Sequence, residues 1–415
     1  MTQQLNIPSI FKVDSYKFSH HKMYPEGTKY LYSTMTVRSF EHLNKSLGFE
    51  TDEYVVFGVY QAIEEIIEDW EKIFNMSKPE FFAELEKYKT YLRKFSLQSP
   101  DAEVDVQHII DLYNNEVLPL KFKNIKDGTV VKGNKIPFLT IENTNPKFAW
   151  LVNYIEDELS SKIWPSIVSA TIAYHYRKIC EHFYNETGSE AMRWFVDWQC
   201  HDFSYRGLKN IEDVCKTGTA HLASFNGTDN VPAVYYIQNE LDDSFDSFGS
   251  VFASEHSTAS LSIVNFEQIY GNKRDAELQY LKYLLTEVFP TGVLSYVSDT
   301  YDFYGLVTDI LPDLKDVIVN RPGKLVIRPD SFDDIVLGLC GDPNATTIHE
   351  QKGLIETLMD IFGYTVNDKG YKELPACIGA IYGDSCTPWR VKKIFQLLKS
   401  KGIASTNIVF GIGLT

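Results

Sequence analysis

The densest group of chemically versatile side chains in the sequence is the segment His201–Gly207, HDFSYRG, which ends an apolar run. It places an imidazole, a carboxylate, two aromatic rings and a guanidinium in one short loop, which suits hydrogen bonding, stacking and anion binding. A structural interpretation is equally open, with Phe203 and Tyr205 in the core and Arg206 as a surface partner of Asp202. Composition alone does not separate the two.

A second candidate is His256, which lies between Glu255 and the hydroxyl residues Ser257 and Thr258. A histidine in this setting suits proton transfer or a phosphohistidine intermediate. The alternative is a structural histidine whose hydrogen bonds are all made within the protein, beside a hydroxyl residue that caps a helix. The motif does not decide between them by itself.

Short apolar runs in the second half of the chain alternate with helical patterns, such as Thr347–Phe362 and Thr387–Lys401. This alternation predicts a parallel sheet or barrel. The runs are Phe195–Asp202, Leu294–Asp299, Leu325–Asp330, Ile378–Asp384 and Ile408–Gly413.

Aspartate ends four of these runs, at Asp202, Asp299, Asp330 and Asp384. The carboxyl ends of barrel strands gather on one face and build the active site, so these carboxylates are expected to converge there. Any one of them could instead cap the following helix or turn. Their joint occurrence favours a site.

Arginine and glycine accompany these aspartates. Arg328, Pro329 and Asp330 follow an apolar run, so the rigid proline would hold a cation and a carboxylate at a strand edge; the alternative is a weak surface ion pair. Gly383-Asp384 and Gly411–Gly413 are typical of small-residue phosphate-binding turns, although such turns are common.

The bulk composition limits the classes of partner. Lys and Arg number 40 against 56 Asp and Glu, giving a net charge of −16, which argues against nucleic acid or an anionic membrane as partner. No apolar run approaches a membrane span, no secretory leader pattern begins the chain, and the six cysteines form no CxxC pair. We therefore expect a soluble, cytoplasmic protein with reduced thiols. Walker A, GxGxxG, GxSxG, HExxH and zinc-ligand spacings are absent from the sequence.

The first part of the chain has mixed periodicity. Lys29–Arg38 is typical of a strand, Glu53–Phe74 and Pro79–Phe95 of helices, and Leu118–Glu142 of an antiparallel meander, followed by a helix over Phe148–Ser161. We therefore predict an α+β lobe with an antiparallel sheet over residues 1–150, and an irregular α/β barrel over 151–415.

Taken in order, the motifs resemble those of the nicotinamide phosphoribosyltransferases, a group within the type II phosphoribosyltransferase family, over nearly the whole chain. Their joint occurrence over that length is much more specific than any one of them. The matching motifs are Asp14–Lys17 with Tyr24-Pro25, Glu142–Thr144, His201–Gly207, Gly227–Asp229, Glu255–Thr258, Val297–Asp299, Ile327–Ser331 and Gly383-Asp384.

For the base, the resemblance implies a stacked site shared across a homodimer. Phe203 would stack on one face of nicotinamide and Tyr16 of the partner subunit on the other. Asp229 would accept a hydrogen bond from the carboxamide nitrogen and would repel the carboxylate of nicotinate.

For the phosphoribosyl group, the resemblance implies Arg206 and Arg328 at the base or phosphoribosyl end, with Asp330 beside the reacting carbon. Arg38 would contact pyrophosphate. Further substrate-binding positions that it implies are Asp14, Ser250, Ser295, Asp299, Gly383, Asp384, Gly411 and Gly413.

The implied reaction transfers phosphoribosyl from phosphoribosyl pyrophosphate to nicotinamide, giving nicotinamide mononucleotide and pyrophosphate in the salvage of NAD. Mg²⁺ would assist, without identified protein ligands. ATP would phosphorylate His256, which would couple energy rather than act as the nucleophile.

One departure leaves alternatives open. The family's chain continues past the glycine-rich segment with Arg and Lys residues that bind phosphate, whereas this sequence ends at Leu414-Thr415, and Leu414 stands where the family has glycine. A truncated, inactive binding subunit is therefore one alternative to the amide-specific transferase. A nicotinate-specific enzyme of the same superfamily is another, although Asp229 argues against it.

Overall fold

The computed structural model describes residues 7–241 and 246–413, so Leu414 and Thr415 lie outside the described residues. The chain divides into two compact units, residues 1–42 with 51–171, and residues 43–50 with 172–415. Each unit has its own cluster of buried apolar side chains. The predicted lobe boundary at 150/151 remains a prediction.

The strands are β1 Tyr32–Thr36, β2 Glu53–Val55, β3 Leu120–Asn124, β4 Val130–Lys132, β5 Pro137–Asn143, β6 Cys200–Asp202, β7 Gly227–Thr228, β8 Phe252–Ala253, β9 Gly292–Val297, β10 Gly323–Arg328, β11 Thr365–Val366, β12 Lys372–Glu373, β13 Ile378–Tyr382 and β14 Ile408–Ile412. The helices are α1 Lys17–His20, α2 Glu41–Leu47, α3 Val59–Phe74, α4 Lys78–Phe95, α5 Gln107–Tyr113, α6 Leu151–Tyr154, α7 Glu156–Thr187, α8 Ile211–Leu222, α9 Val231–Tyr236, α10 His256–Tyr270, α11 Lys273–Tyr283, α12 Phe303–Gly305, α13 Leu311–Asp313, α14 Lys315–Asn320, α15 Ile335–Cys340, α16 Ile348–Lys352, α17 Leu354–Phe362 and α18 Pro388–Ser400.

The first unit is an α+β lobe, as the sequence predicts. Strand β5 lies between β1 and β3 in an antiparallel sheet, and β2 pairs with β4 in a separate antiparallel ribbon. Helix α3 buries Ile63, Ile66 and Trp70, whose spacing of three and four residues places them on one face. Helix α4 begins at a capping box between Ser77 and Glu80.

The second unit contains a seven-stranded sheet in the order β7-β6-β14-β13-β10-β9-β8, and every neighbouring pair is parallel. The strands come from apolar runs separated by helices, which is the pattern that produces parallel sheets. Leu325 and Ile327 are 1% and 0% exposed, so one face of β10 packs in the core and leaves Arg328 on the other.

The two edges of this sheet meet. Gly227 in β7 forms a parallel bridge with Gly249, which lies just before β8. The amide of Thr228 donates to the carbonyl of Gly249 at 2.9 Å, and the amide of Gly249 donates to the carbonyl of Asn226 at 3.0 Å. The sheet is therefore curled into an irregular α/β barrel, as the sequence predicts, with this narrow seam between its edge strands.

Three predicted elements are wrong in detail. Residues 53–55 form strand β2 rather than the start of a helix, and α3 begins only after Gly58, whose φ of 72° breaks the helical path. The expected run Phe195–Asp202 is a 3₁₀ helix over Glu190–Trp198 followed by the three residues of β6. The meander is also interrupted, because β4 leaves β3 and β5 to pair with β2.

Within residues 7–241 and 246–413, no helix combines the length and the apolar character that crossing a bilayer requires. The six cysteines are all free thiols. Cys180 and Cys200 are both fully buried, with their sulfur atoms 3.9 Å apart.

Candidate active site

The ring of Phe203 lies against two backbone segments that carry no side chain. Strand β6 pairs with β14, with His201 opposite Gly411, and the amide of Phe203 then donates to the carbonyl of Ile412 at 2.9 Å. A Cβ atom at Gly411 would lie 2.1 Å from Cε2 of the ring, and one at Gly383 would lie 2.8 Å from the same atom. The two glycines are therefore required so that this half-buried ring can occupy its position.

Arg328 is fixed at the end of β10 by groups on both of its terminal nitrogens. Nη2 donates to the carbonyl of Ser254 at 2.6 Å, and Nη1 lies 3.4 Å from Oδ2 of Asp330. The side chain is 13% exposed, and its Nε is buried without a partner among the described residues. One donor of this oriented guanidinium is therefore left for an anionic ligand.

Asp299 connects three other residues through its two carboxylate oxygens. Nε2 of His256 lies 2.9 Å from Oδ1, while the amide of Asp330 at 2.8 Å and the hydroxyl of Ser331 at 2.6 Å both donate to Oδ2. The Asp299 side chain is 7% exposed and that of His256 is 47% exposed. The accessible imidazole is thus linked to the loop that carries Asp330.

The pKa of Asp299 lies below its ordinary value despite its environment. Burial alone would raise this pKa, but hydrogen bonds from Ser331, from the amide of Asp330 and from His256 outweigh burial. The carboxylate is therefore held ionised, and it orients His256 so that Nε2 faces it. This leaves Nδ1 as the other nitrogen of the ring available for chemistry.

Asp229 follows β7 and presents a carboxylate whose side chain is 46% exposed. The hydroxyl of Ser250 donates to Oδ1 of Asp229, and Nδ1 of His201 lies 3.9 Å from the same oxygen. The ring of His201 packs on Gly227, where a Cβ atom would lie 2.4 Å from it. The carboxylate of Asp229 is therefore a hydrogen-bond acceptor whose orientation is set by Ser250.

Two buried hydroxyls lie in β9 and just after it. Ser295 in β9 is 2% exposed and Ser298 is 0% exposed, and neither Oγ has a hydrogen-bond partner among the described residues. A buried hydroxyl without a partner is costly, on the order of 1–3 kcal/mol. Ser295, which the sequence assigned to the substrate-binding set, therefore has a donor that a ligand could use.

The remaining predicted positions of the second unit lie on neighbouring loops. Asp384 follows Gly383 after β13 and accepts a hydrogen bond from Ser385 at 3.2 Å. Arg206 is exposed on the 3₁₀ turn Tyr205–Gly207. Gly413 is exposed after β14, with no heavy atom within 4 Å of an added Cβ.

Three predicted positions, Asp14, Tyr16 and Arg38, belong to the first unit. The amide of Asp14 donates to Asp157 at 2.8 Å, and the ring of Tyr16 is 54% exposed. Arg38 follows β1 with an exposed side chain, and its carbonyl accepts from Asn134 at 3.1 Å. Tyr16 and Arg38 are therefore accessible on this unit.

The loops at the carboxyl ends of these parallel strands carry an aromatic ring, an acceptor carboxylate and an arginine. Residues 198–415, which include most of these loops, match the profile of the nicotinate phosphoribosyltransferase (NAPRTase) family. A protein of Acinetobacter baylyi named nicotinamide phosphoribosyltransferase is 38% identical over 97% of this chain and 77% of its own length. The chain belongs to the nicotinate phosphoribosyltransferase family.

Two further comparisons agree with this family. A Mycoplasma pneumoniae protein, also named nicotinamide phosphoribosyltransferase, is 31% identical over 99% of this chain and 86% of its own length. The crystal structure of human nicotinic acid phosphoribosyltransferase superposes with a TM-score of 0.54 at 13% identity, covering 97% of this chain and 72% of the other. At that identity the superposition supports the family's fold.

Sequence reasoning did not assign the roles of several residues that position the candidate site. Ser331 binds Asp299, the carbonyl of Ser254 binds Arg328, and the fully buried Asn230 donates to Asp202 at 3.1 Å. Ser331 and Asn230 directly follow predicted site residues in the chain, and Ser254 lies two residues before His256. Ser331 also lies within the motif Ile327–Ser331, but the sequence did not indicate its bond to Asp299.

Proposed function

We propose that this chain is a nicotinamide phosphoribosyltransferase, which transfers phosphoribosyl from phosphoribosyl pyrophosphate to nicotinamide and releases pyrophosphate. The observation that carries the proposal is the oriented carboxylate of Asp229, on the loop after β7, next to the strand whose end carries Phe203. A carboxylate accepts a hydrogen bond from a carboxamide and repels a second carboxylate. The site therefore suits nicotinamide rather than nicotinate.

Transfer needs stabilisation of separating charges more than covalent help. As pyrophosphate departs, C1 of the ribose gains positive character, and the pyridine nitrogen attacks from the opposite face. Asp330 would stabilise the positive carbon, while Arg328 would bind the negative phosphoribosyl end. Their 3.4 Å contact places the two opposite charges side by side before substrate binds.

Mg²⁺ fits this site as a substrate-borne cation. Among residues 7–241 and 246–413, no group of three or more His, Cys, Asp or Glu side chains is arranged to hold a metal ion. Mg²⁺ is commonly held by one or two carboxylates together with substrate phosphates. Such carboxylates are supplied by Asp330 and Asp384. Oδ1 of Asp330 would lie 3.8 Å from a Cβ at Gly383, the residue that directly precedes Asp384. When bound, the cation would neutralise the charge of pyrophosphate.

His256 is the proposed acceptor of a phosphoryl group from ATP. Asp299 occupies the Nε2 side of the imidazole, so Nδ1 is the nitrogen that can attack the γ-phosphate. The Nε2–H donated to an ionised carboxylate raises the nucleophilicity of the opposite nitrogen. ATP hydrolysis would in this way be coupled to synthesis without His256 touching the base.

The proposed active form is a cytoplasmic homodimer with shared sites. Tyr16 would cover the second face of nicotinamide from the partner subunit, and its 54% exposed ring is accessible for that role. Asp14 and Arg38 would join the substrate-binding set, with Arg38 directed to pyrophosphate. These assignments come from the family resemblance.

The direct test is to incubate the purified chain with nicotinamide, phosphoribosyl pyrophosphate and Mg²⁺, with and without ATP, and to quantify nicotinamide mononucleotide. Nicotinate serves as the competing substrate, and Asp330→Asn as the variant that should lose product. We expect product from the amide, stimulation by ATP, and little product from nicotinate.

Other outcomes each have a clear meaning. Preference for nicotinate would reject the role given to Asp229. Binding of nicotinamide without any product would instead identify a binding subunit that needs further polypeptide to complete its site.

A further inference from the structure

The carboxylate of Asp202 is buried without a cation among the described residues. It is 2% exposed, and its two oxygens accept from uncharged donors: Oδ1 from the amide of Ser204 at 2.9 Å and Oδ2 from the side-chain amide of Asn230 at 3.1 Å. Its own carbonyl accepts from the amide of Asp229 at 3.1 Å. A buried carboxylate needs such bonds because desolvation otherwise disfavours its charge.

Both donors of the Asn230 side-chain amide, and its oxygen, make hydrogen bonds in this arrangement. Nδ2 donates to Asp202 and to the carbonyl of Val214 at 3.0 Å, while Oδ1 accepts the amide of Ala233 at 3.2 Å and so caps α9. The residue is 1% exposed, and a Cβ atom on Gly218 would lie 2.5 Å from its Nδ2. The side chain therefore has no room to take another position.

These contacts join the two loops that hold opposite parts of the proposed base site. One oxygen of Asp202 fixes the loop of Phe203 and Ser204, and the other fixes the turn of Asp229 and Asn230. The parallel pairing of β6 with β7 ends at Asp202 and Thr228. The bond from the Asn230 side chain to Asp202 therefore joins the two loops just beyond the ends of these strands. No other side-chain bond between these two loops occurs in the described residues, apart from the 3.9 Å approach of His201 to Asp229.

We infer that Asp202 and Asn230 are positioning residues that set the placement of Asp229 relative to the ring of Phe203, and through it the preference for the amide over the acid. This inference rests on the proposed function. A carboxylate placed even slightly away from the bound carboxamide loses the hydrogen bond and also loses part of its repulsion of nicotinate. Neither residue needs to touch substrate for this effect.

The test is a set of near-isosteric exchanges. Asn230→Asp places two carboxylate oxygens against each other, and Asp202→Asn places two side-chain amides against each other. The double variant Asp202→Asn/Asn230→Asp restores a bond of opposite polarity, because the new amide nitrogen at position 202 can donate to the new carboxylate at position 230. The amide oxygen at position 202 can still accept from Ser204. The bond to the carbonyl of Val214 is lost, and a carboxylate oxygen then faces that carbonyl, so recovery is expected to be incomplete.

We expect each single variant to raise the KM for nicotinamide by about tenfold, the factor that corresponds to one hydrogen bond of about 1.4 kcal/mol. We expect kcat to change less, and the ratio of kcat/KM for nicotinamide over nicotinate to fall. The double variant should recover most of that ratio, since the two residues act as a pair. A purely structural role would lower the amount of active enzyme without changing this ratio.

Asn272→Asp is the matched control. Asn272 also caps a helix and also donates from Nδ2 to a carboxylate, that of Asp275 at 2.9 Å, but it is exposed at the start of α11. This variant should leave the ratio unchanged. If one single variant unfolds, the ratio measured in the other single variant decides the inference, because a wild-type ratio in a folded single variant would overturn it.

Failure of the inference is distinguishable from failure of the proposed function. Wild-type protein that makes no product and binds no nicotinamide in calorimetry overturns both. Wild-type protein that prefers nicotinamide, together with single variants that keep the same preference, overturns the inference alone.

Discussion

The imidazole of His256 and the carboxylate of Asp299 lie 2.9 Å apart, and the second oxygen of the same carboxylate holds the amide of Asp330. A change of charge on the imidazole therefore reaches the loop that carries Asp330 through a single side chain. Phosphorylation of His256 would alter its bond to Asp299 and so the strength with which Asp299 holds that loop. This gives a physical route for coupling ATP to synthesis.

Asp299→Asn tests this route. The amide keeps the shape of the side chain but removes the charge that orients Nε2, so we expect less phosphohistidine from ATP and loss of ATP stimulation. Transfer without ATP should fall less. Acid-labile, base-stable incorporation of γ-labelled phosphate measures the first effect, and His256→Asn, which should incorporate none, is the control. Labelling of Asp299→Asn at the wild-type level would reject the route.

Gly411→Ala tests whether the position of the Phe203 ring depends on the absence of a side chain at residue 411. The new Cβ would lie 2.1 Å from Cε2 of that ring, so the ring must move. We expect destabilisation of about 1–3 kcal/mol, typical of overpacking, and a higher KM for nicotinamide. Thermal unfolding and steady-state kinetics measure both. Gly413→Ala is the control for stability, because nothing lies within 4 Å of its added Cβ; equal melting temperatures in the two variants would contradict the prediction.

Glu277 predicts a pH dependence of stability. Burial raises its pKa from 4.5 to about 7, although the hydroxyl of Tyr296 donates to it at 3.1 Å. The folded state therefore keeps the proton longer than the unfolded state, so the stabilising contribution is fully present below about pH 4.5 and is lost as pH rises through about 7.

At 1.36 kcal/mol per pKa unit, the loss is on the order of 3 kcal/mol. Glu277→Gln stays neutral, so its stability relative to the wild type should increase between pH 5 and pH 8. Chemical denaturation at both pH values measures this, with Glu287→Gln at an exposed position as control. An unchanged difference between the two pH values would show that Glu277 is solvated in the folded protein.

Mixed dimers test the assignment of Tyr16 to the partner subunit's site. Tyr16→Ala and Asp330→Asn should each reduce activity strongly when purified alone. If each site combines Tyr16 of one subunit with Asp330 of the other, co-refolded mixtures contain one complete site per mixed dimer. Recovery of activity on mixing is the expected result, and its absence would count against shared sites.

Much of the barrel could be predicted from the sequence because its strands are short apolar runs bounded by residues that stop them. Strands β9, β10, β13 and β14 lie largely within the predicted runs, and aspartate or glycine follows within two residues of each. Strand β2 could not be predicted in this way. Its three residues form a strand only because β4, more than 70 residues later in the chain, pairs with them.

The contacts among the candidate site residues could not be predicted from the sequence. Asp299 was expected to bind substrate, yet the structure places it between His256 and Asp330, which are separated from it by 43 and 31 residues. Sequence spacing contains no information on such contacts. Asn230 was missed for a related reason, since an asparagine after Gly227–Asp229 is an ordinary turn residue until its buried partner is known.

The seam of the barrel has a dynamic consequence. Gly227 and Gly249 form the backbone bridge there, and the next polar side chains on the two sides are Thr228 with Asp229, and Ser250. A carboxamide bound to Asp229 would add a contact at the edge where backbone pairing is sparsest. Amide hydrogen exchange in residues 226–229 and 249–254 should therefore slow more on nicotinamide binding than exchange elsewhere in the barrel. Bound substrate would in this way stabilise the closure of the barrel that binds it.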